Sequence, residues 1–166
     1  MRRILTILIV GGLLAGTATA SAGVFPTRGK LVPGSSIAGV SLGDTQAHIL
    51  ATWGHRYDVC TFCKTTTWLY EYPVGDPLGA AVQFAGKRVV AVFTLGQPSG
   101  WGTRGLMTGD PLTNIYTLYP SVTDTQCLGY VALTQRLPGG SAQSFYSVSG
   151  VIYGFALTAK SQSICR

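Results

Sequence analysis

The sequence predicts an α+β protein of two αβββ units, each a short helix followed by a three-stranded antiparallel meander. Two observations predict it. The phrase Gly39-Val40-Ser41-Leu42-Gly43-Asp44 returns 66 residues later as Gly105-Leu106-Met107-Thr108-Gly109-Asp110. Reading on without a gap, Ile49 falls on Ile115, Leu50 on Tyr116, Trp53 on Tyr119 and Gly54 on Pro120. The strand signals after each helix also come in the same order, and an internal repeat fixes an architecture before any single element is assigned.

Met1 to Ala22 read as a secretory signal peptide. Arg2 and Arg3 precede the uncharged run Ile4–Ala15, and Ala18-Thr19-Ala20 and Ala20-Ser21-Ala22 offer small-residue cleavage sites. The run is short for a membrane span, so no stable membrane insertion is expected after cleavage. Leu13-Leu14-Ala15-Gly16 begins like a bacterial lipoprotein box, but Thr17 stands where the lipid-bearing cysteine must be. A released, secreted protein is expected. Residues 23–36 are rich in Gly and Pro without periodicity and read as an extended leader.

In the first unit, residues 37–95, Asp44 is placed to cap a helix that closes at Gly54, with Ile49, Leu50 and Trp53 on its core side. Thr65–Tyr72 alternates Trp68, Tyr70 and Tyr72 onto one face and reads as a strand. Residues 73–79 turn the chain, and Ala80–Phe84 and Val89–Leu95 are strands on either side of Gly86-Lys87. A connector, residues 96–104, carries Pro98 and Trp101. In the second unit, residues 105–166, Asp110 caps and Pro111 takes the first helical position, where its missing N–H costs nothing. Tyr130–Leu137, Gln143–Val148 and Val151–Leu157 are its strands, with Val89–Leu95 aligned on Val151–Leu157. Joined edge to edge, the units give a six-stranded sheet with both helices on one face.

A Gly-x-x-x-Gly-Asp helix followed by a tryptophan-bearing meander, written twice, resembles the tandem-repeat fold of the β-lactamase inhibitory proteins. The single unit resembles the small lipoprotein of the outer-membrane assembly machinery, and some uncharacterised secreted proteins of actinobacteria are similar. The resemblance covers residues 37–158 and implies fold; no inhibitor contact residue carries over.

Composition narrows the function classes. Twelve Lys and Arg face six Asp and Glu, for a net charge of +6 that falls to +4 without Arg2 and Arg3. The cations are scattered, with only Lys87-Arg88 adjacent, whereas a nucleic-acid binder gathers them on one face. No nucleic-acid partner is expected. Gly39-Val40-Ser41-Leu42-Gly43 matches the G-x-S-x-G of serine hydrolases. The second copy keeps both glycines but puts Met107 in place of Ser41, so the glycines belong to the scaffold. Cys60-Thr61-Phe62-Cys63 follows a helix and does not begin one, so no helix dipole lowers a thiol pKa. In an exported chain the four cysteines read as two disulfides, Cys60–Cys63 and Cys127–Cys165 favoured among three pairings. A four-cysteine zinc site and thiol redox catalysis are the alternatives.

His48 and His55 stand seven residues apart with no carboxylate pair at ligand spacing, and no general acid/base couple emerges from the six acids. No catalytic residue, metal or cofactor is implied. Asn114 lacks a following Ser or Thr, so no N-glycan acceptor exists. The strands carry more apolar positions than two short helices can cover. The expected function is therefore non-enzymatic binding of a protein or envelope component through an aromatic sheet face: Trp68, Tyr70 and Tyr72, with Trp101 at its edge. Thiol-disulfide chemistry at Cys60 and Cys63 and a purely structural envelope role are the alternatives.

Overall fold

A computed structural model describes residues 23–71, 79–96 and 100–166. The expected signal peptide and its cleavage sites, Tyr72 and most of the turn after it, and Pro98 of the connector lie outside the described residues.

The chain forms β1 (Leu31–Val32), β2 (Ser36–Ile37), β3 (Val40–Ser41), α1 (Gln46–Trp53), β4 (Asp58–Val59), β5 (Thr66–Tyr70), β6 (Ala80–Ala85) and β7 (Arg88–Thr94). It continues as β8 (Gly102–Thr103), β9 (Leu106–Met107), α2 (Thr113–Leu118), β10 (Thr123–Cys127), β11 (Tyr130–Arg136), β12 (Ala142–Val148) and β13 (Val151–Thr158). The class is α+β, dominated by antiparallel sheet.

The main sheet has eight strands in the order β10-β11-β12-β13-β7-β6-β5-β4, not the six expected. The two additional strands are its edges. Asp58–Val59 is too short to show a period, and Thr123–Cys127 is polar at every position but the last, so neither carries the alternation that marks a half-buried strand. The expected leader is also more than a leader. β1, β2 and β3 form a small sheet, and β8 pairs with β9 where a plain connector was expected. These hairpins are two-residue strands held by backbone bonds, with no hydrophobic pattern to announce them.

The glycines of the repeated phrase close these hairpins. Gly39 and Gly105 sit at φ 84° and 83°, after Ala38 at 47° and Arg104 at 34°, so both central turn residues are left-handed, as a two-residue hairpin favours. Gly43 and Gly109, at φ 87° and 93°, then swing the chain towards the helix. The Gly43 N–H donates to Val89 O at 2.8 Å, and the Gly109 N–H to Ile152 O at 2.8 Å. The Val89 and Ile152 N–H groups return bonds to Asp44 O and Asp110 O, at 2.9 and 2.8 Å. Val89 thus answers to Ile152. The alignment of Val89–Leu95 on Val151–Leu157 is out of step by one residue, although it brought Phe and Leu into register.

The helix starts also differ from expectation. Thr45 is the N-cap of α1, its side chain accepting the His48 N–H at 3.1 Å. Asp44 instead accepts the Ser41 N–H at 2.7 Å, and Asp110 accepts the Met107 N–H at 2.7 Å, each carboxylate folding back on the strand before it. Pro111 is held in a bridge to Val151 and α2 begins at Thr113, without a side-chain cap. Gly54 ends α1 at φ 82°, its N–H donating to Leu50 O.

One face of the sheet carries the main core. Trp68, Tyr70, Val82, Phe84, Leu133, Phe145 and Phe155 pack there with Ile49 and Trp53 of α1, Ile115 of α2, and Leu31, Ile37, Trp101 and Leu106 from the hairpins. Both helices therefore lie on this face. The other face holds Ala81, Ala91, Phe93, Ala132, Tyr146 and Ala156, with Ile164 of the C-terminal tail packed on it. The Cys127–Cys165 disulfide pins that tail to the edge strand. The Arg166 guanidinium lies 5.1 Å over the Phe93 ring, with Nη1 donating to Gln83 at 3.0 Å.

Candidate functional site

The aromatic residues expected to form a binding face do not reach solvent. Trp101 and Tyr70 are 0% exposed and Trp68 is nearly so, all in the core under the helices. Phe25 of the leader reaches in among them, with ring centroids 5.2 Å from Trp53, 5.5 Å from Tyr70 and 6.0 Å from Trp101. Tyr57 stacks on Trp68 at 4.2 Å. The Tyr70 hydroxyl donates to Gly54 O at 3.2 Å, and burial drives its pKa far above the ordinary tyrosine value, with Tyr57 adding to the rise. Trp68, Tyr70 and Trp101 are core, and Tyr72 lies outside the described residues. The surplus of apolar strand positions is absorbed on one side by the leader and hairpins and on the other by the C-terminal tail.

The cysteines stand as expected: Cys60–Cys63 and Cys127–Cys165 are disulfides, and no described cysteine is free. Ser41 lies on β3 with its N–H on Asp44. The His48 Nε2 stands 3.5 Å from the same carboxylate, and within 3.3 Å of Gly39 O and Thr52 Oγ1. The histidine therefore braces the start of α1, and among the described residues nothing links it to the Ser41 hydroxyl. No cluster of three or more His, Cys, Asp or Glu among the described residues is arranged to hold a metal.

The feature with the shape of a binding site lies at the β4 end of the sheet. An open cleft of about 700 Å³ is bounded by the leader, the segment from α1 to β4, and the last residues of β5. Val24, Phe25, Trp53 and Leu69 supply apolar wall, and His55, Arg56, Asp58 and Glu71 supply charge and polarity. The cleft wraps round the sheet edge, because Tyr57 packs with the helix-side core while Leu69 packs with the opposite face. Val24 in its wall is 82% exposed, and Val59 on the bordering strand is 54% exposed. The leader is seated by close backbone contact, since a Cβ on Gly54 would stand 2.1 Å from Gly23 O. Sequence reasoning missed this site because its walls come from three segments far apart in the chain.

No family model matches this chain, and no curated protein matches it. A solved structure, that of an extracellular protein containing an SCP domain from Bacillus anthracis str. Ames, is similar, with a TM-score of 0.53 and 10% sequence identity. The match covers 71% of this chain and 44% of that one, so this chain corresponds to less than half of that protein. The likeness is one of fold. Among the described residues, no helix is long and apolar enough to cross a membrane.

Proposed function

We propose that this is an exported, non-enzymatic binding protein, built of two copies of one unit, that recognises a protein or envelope partner at the β4 end of its sheet. The observation that carries the reading is the open cleft itself, with exposed Val24 in its wall and exposed Val59 on the strand that borders it.

Export is supported by the two disulfides, which form and persist in oxidising compartments. An extracellular protein of similar fold is consistent with it. The two-unit reading is supported by matched bonds at both helix starts and by matched irregularities between Gln83/Phe84 and Tyr146/Ser147. Strand β7 pairs with β13 where Phe93 faces Ala156, two residues at the same separation as Val89 and Ile152. A two-fold axis relating the halves would pass between that pair. The non-enzymatic reading is supported by Cys60–Cys63, a closed disulfide in a loop between strands, away from any helix N-terminus that would activate a thiol.

The test is capture of envelope and culture proteins by chemical crosslinking, comparing the secreted protein with Val24→Asp and Val59→Asp. Both positions are exposed, so stability should change by no more than about 0.5 kcal/mol. Capture should fall in both variants and persist in Leu128→Asp, a fully exposed residue at the β10–β11 turn. Equal capture by all of them would move the binding surface elsewhere.

A further inference from the structure

We infer that a second copy of this chain docks on the β10 edge, the two β10 strands running antiparallel about a two-fold axis at Thr125. This goes beyond the binding reading above, since the cleft lies at the β4 end of the sheet and is walled by one copy alone.

The edge geometry follows from the hairpin. Cys127 and Tyr130 pair across the two-residue turn Leu128-Gly129, where each can bond only to the other. Bonded and unbonded pairs alternate along an antiparallel ladder, so Thr125 bonds to Ala132 and Thr123 to Thr134. The backbone N–H and C=O of Asp124 and Gln126 therefore point away from β11, in one row on one strand. Thr123 to Gln126 are all exposed, the β10 ladder runs without a bulge, and the strand holds no Pro or Lys. The single charge of Asp124 is all that blunts this edge. Cys165 Sγ lies 3.8 Å from Gln126 O, but in its disulfide it has no proton to give, so that carbonyl is left for another donor.

The side chains of the strand select a second copy of itself. With the axis at Thr125, Asp124 of each copy faces Gln126 of the other, and these are the residues whose backbone groups point outward. Their side chains lie on the α2 side of the sheet, where the Asp124 carboxylate already accepts the Tyr116 hydroxyl at 2.7 Å. Each carboxylate then accepts a Gln126 amide N–H across the new pair, so its charge is met and not opposed. The same register carries Leu128, 99% exposed, alongside Val122 of the second copy, which packs at the margin of the main core. Other symmetric registers do worse. An axis at Asp124 sets two carboxylates directly opposite each other, and one at Gln126 sets each carboxylate against Leu128. Pairing of β10 with the β4 edge would grow an open filament. However, β4 has two residues with only Val59 turned outward, so the assembly closes as a dimer.

The test is sedimentation velocity of the secreted protein from about 10 μM to about 1 mM, the range expected of a small interface, with amide exchange followed by NMR. A monomer–dimer equilibrium is expected. Exchange of the Asp124 and Gln126 amides should slow as concentration rises, while that of Thr125, already bonded to Ala132, should not change. Gln126→Glu places a carboxylate opposite Asp124 and should weaken the dimer at least about tenfold. Asp124→Asn together with Gln126→Glu reverses the polarity of the pair and should restore it. Gln126→Lys, which faces Asp124, should tighten it. Both positions are exposed, so each variant should unfold at the parent's urea midpoint in dilute solution. A monomer at the highest concentration, a dimer that leaves the Asp124 and Gln126 amides unprotected, or protection at Val59 in their place would each overturn the proposal. So would a Gln126→Glu variant that dimerises like the parent, or a double variant that does not recover.

Discussion

Removing the two disulfides one at a time should have unequal consequences, and the inequality can be worked from loop length. Cys127–Cys165 spans a sequence separation of 38 and Cys60–Cys63 one of 3. The chain-entropy relation gives about 3.9 kcal/mol for the long loop and about 1.6 kcal/mol for the short one. The native state modifies the first figure. The tail held by Cys165 lies on Phe93 and Tyr146, which favours closure, but Arg166 buries Nε and Nη2 without hydrogen-bond partners, which opposes it. Without the disulfide the tail should lift, regaining water for those donors and exposing the alanine-rich face beneath. Cys127→Ala with Cys165→Ala should therefore cost about 3–4 kcal/mol in urea unfolding, and Cys60→Ala with Cys63→Ala about 1–2 kcal/mol. The Arg166 amide, which donates to the Tyr130 hydroxyl, should exchange rapidly in the first pair of substitutions only. A larger loss from the short loop, or an unchanged Arg166 exchange rate, would refute the assignment of the tail as a disulfide-held cover.

Two further outcomes follow from the core and from the helix starts. Burial raises the pKa values of Tyr70 and Tyr146, against a smaller lowering of Tyr146 by Arg166, so both hold their protons in the folded state beyond the pH at which an unfolded tyrosine ionises. Stability from this source is complete below about pH 10 and should fall as pH rises above it, by up to about 1.4 kcal/mol per pH unit for each tyrosine. Denaturant melts of Tyr70→Phe and Tyr146→Phe should each lose one share of that slope. Asp44→Ala and Asp110→Ala should each cost about 1 kcal/mol by freeing the Ser41 and Met107 N–H groups, while Thr45→Ala should cost a similar amount through its cap. A null effect of Asp110→Ala beside a large one of Asp44→Ala would set the two helix starts apart.

The parts of the fold that were legible are those in which one short stretch of chain dictates its own geometry. Gly39, Gly43, Gly105 and Gly109 need positive φ, so a spacing of glycines was enough to mark two equivalent chain reversals before two helices. The central strands were legible because β-branched and aromatic residues run through Ala80–Ala85, Arg88–Thr94, Ala142–Val148 and Val151–Thr158 between turn signals. The caps were not. Aspartate is a good capping residue in general, but here Thr45 is one residue nearer the helix and Asp44 is claimed by the Ser41 N–H, a competition between two local bonds that propensity does not rank. The one-residue error in aligning the last strands has a similar origin. Matching Phe93 to Phe155 satisfies composition, whereas the ladder is set by Val89 and Ile152 bonding to the helix starts.

The location of the site was beyond local reasoning for a different reason. Whether Trp68 and Tyr70 face water depends on whether anything lies over them: Phe25, more than forty residues upstream and itself packed on Trp101 of the connector, covers Tyr70, and Tyr57 stacks on Trp68. A count of apolar strand positions rightly finds a surplus, but it treats the leader and tail as passive because neither has a period. Leader, connector and tail turn out to be the covers. Once the surplus is assigned to them, the exposed Val24 and two unengaged carboxylates are left lining one cleft, at the edge where β4 stops at Asp58 and the chain of β5 runs on to Glu71. A strand edge that ends short is a standing invitation to pair, and proteins ordinarily blunt such edges with charge or cover them. Here Asp58 and Glu71 guard the edge, because pairing with the same edge of a second copy would set these carboxylates against their own like charges, while the cleft beside them stays open to a different partner.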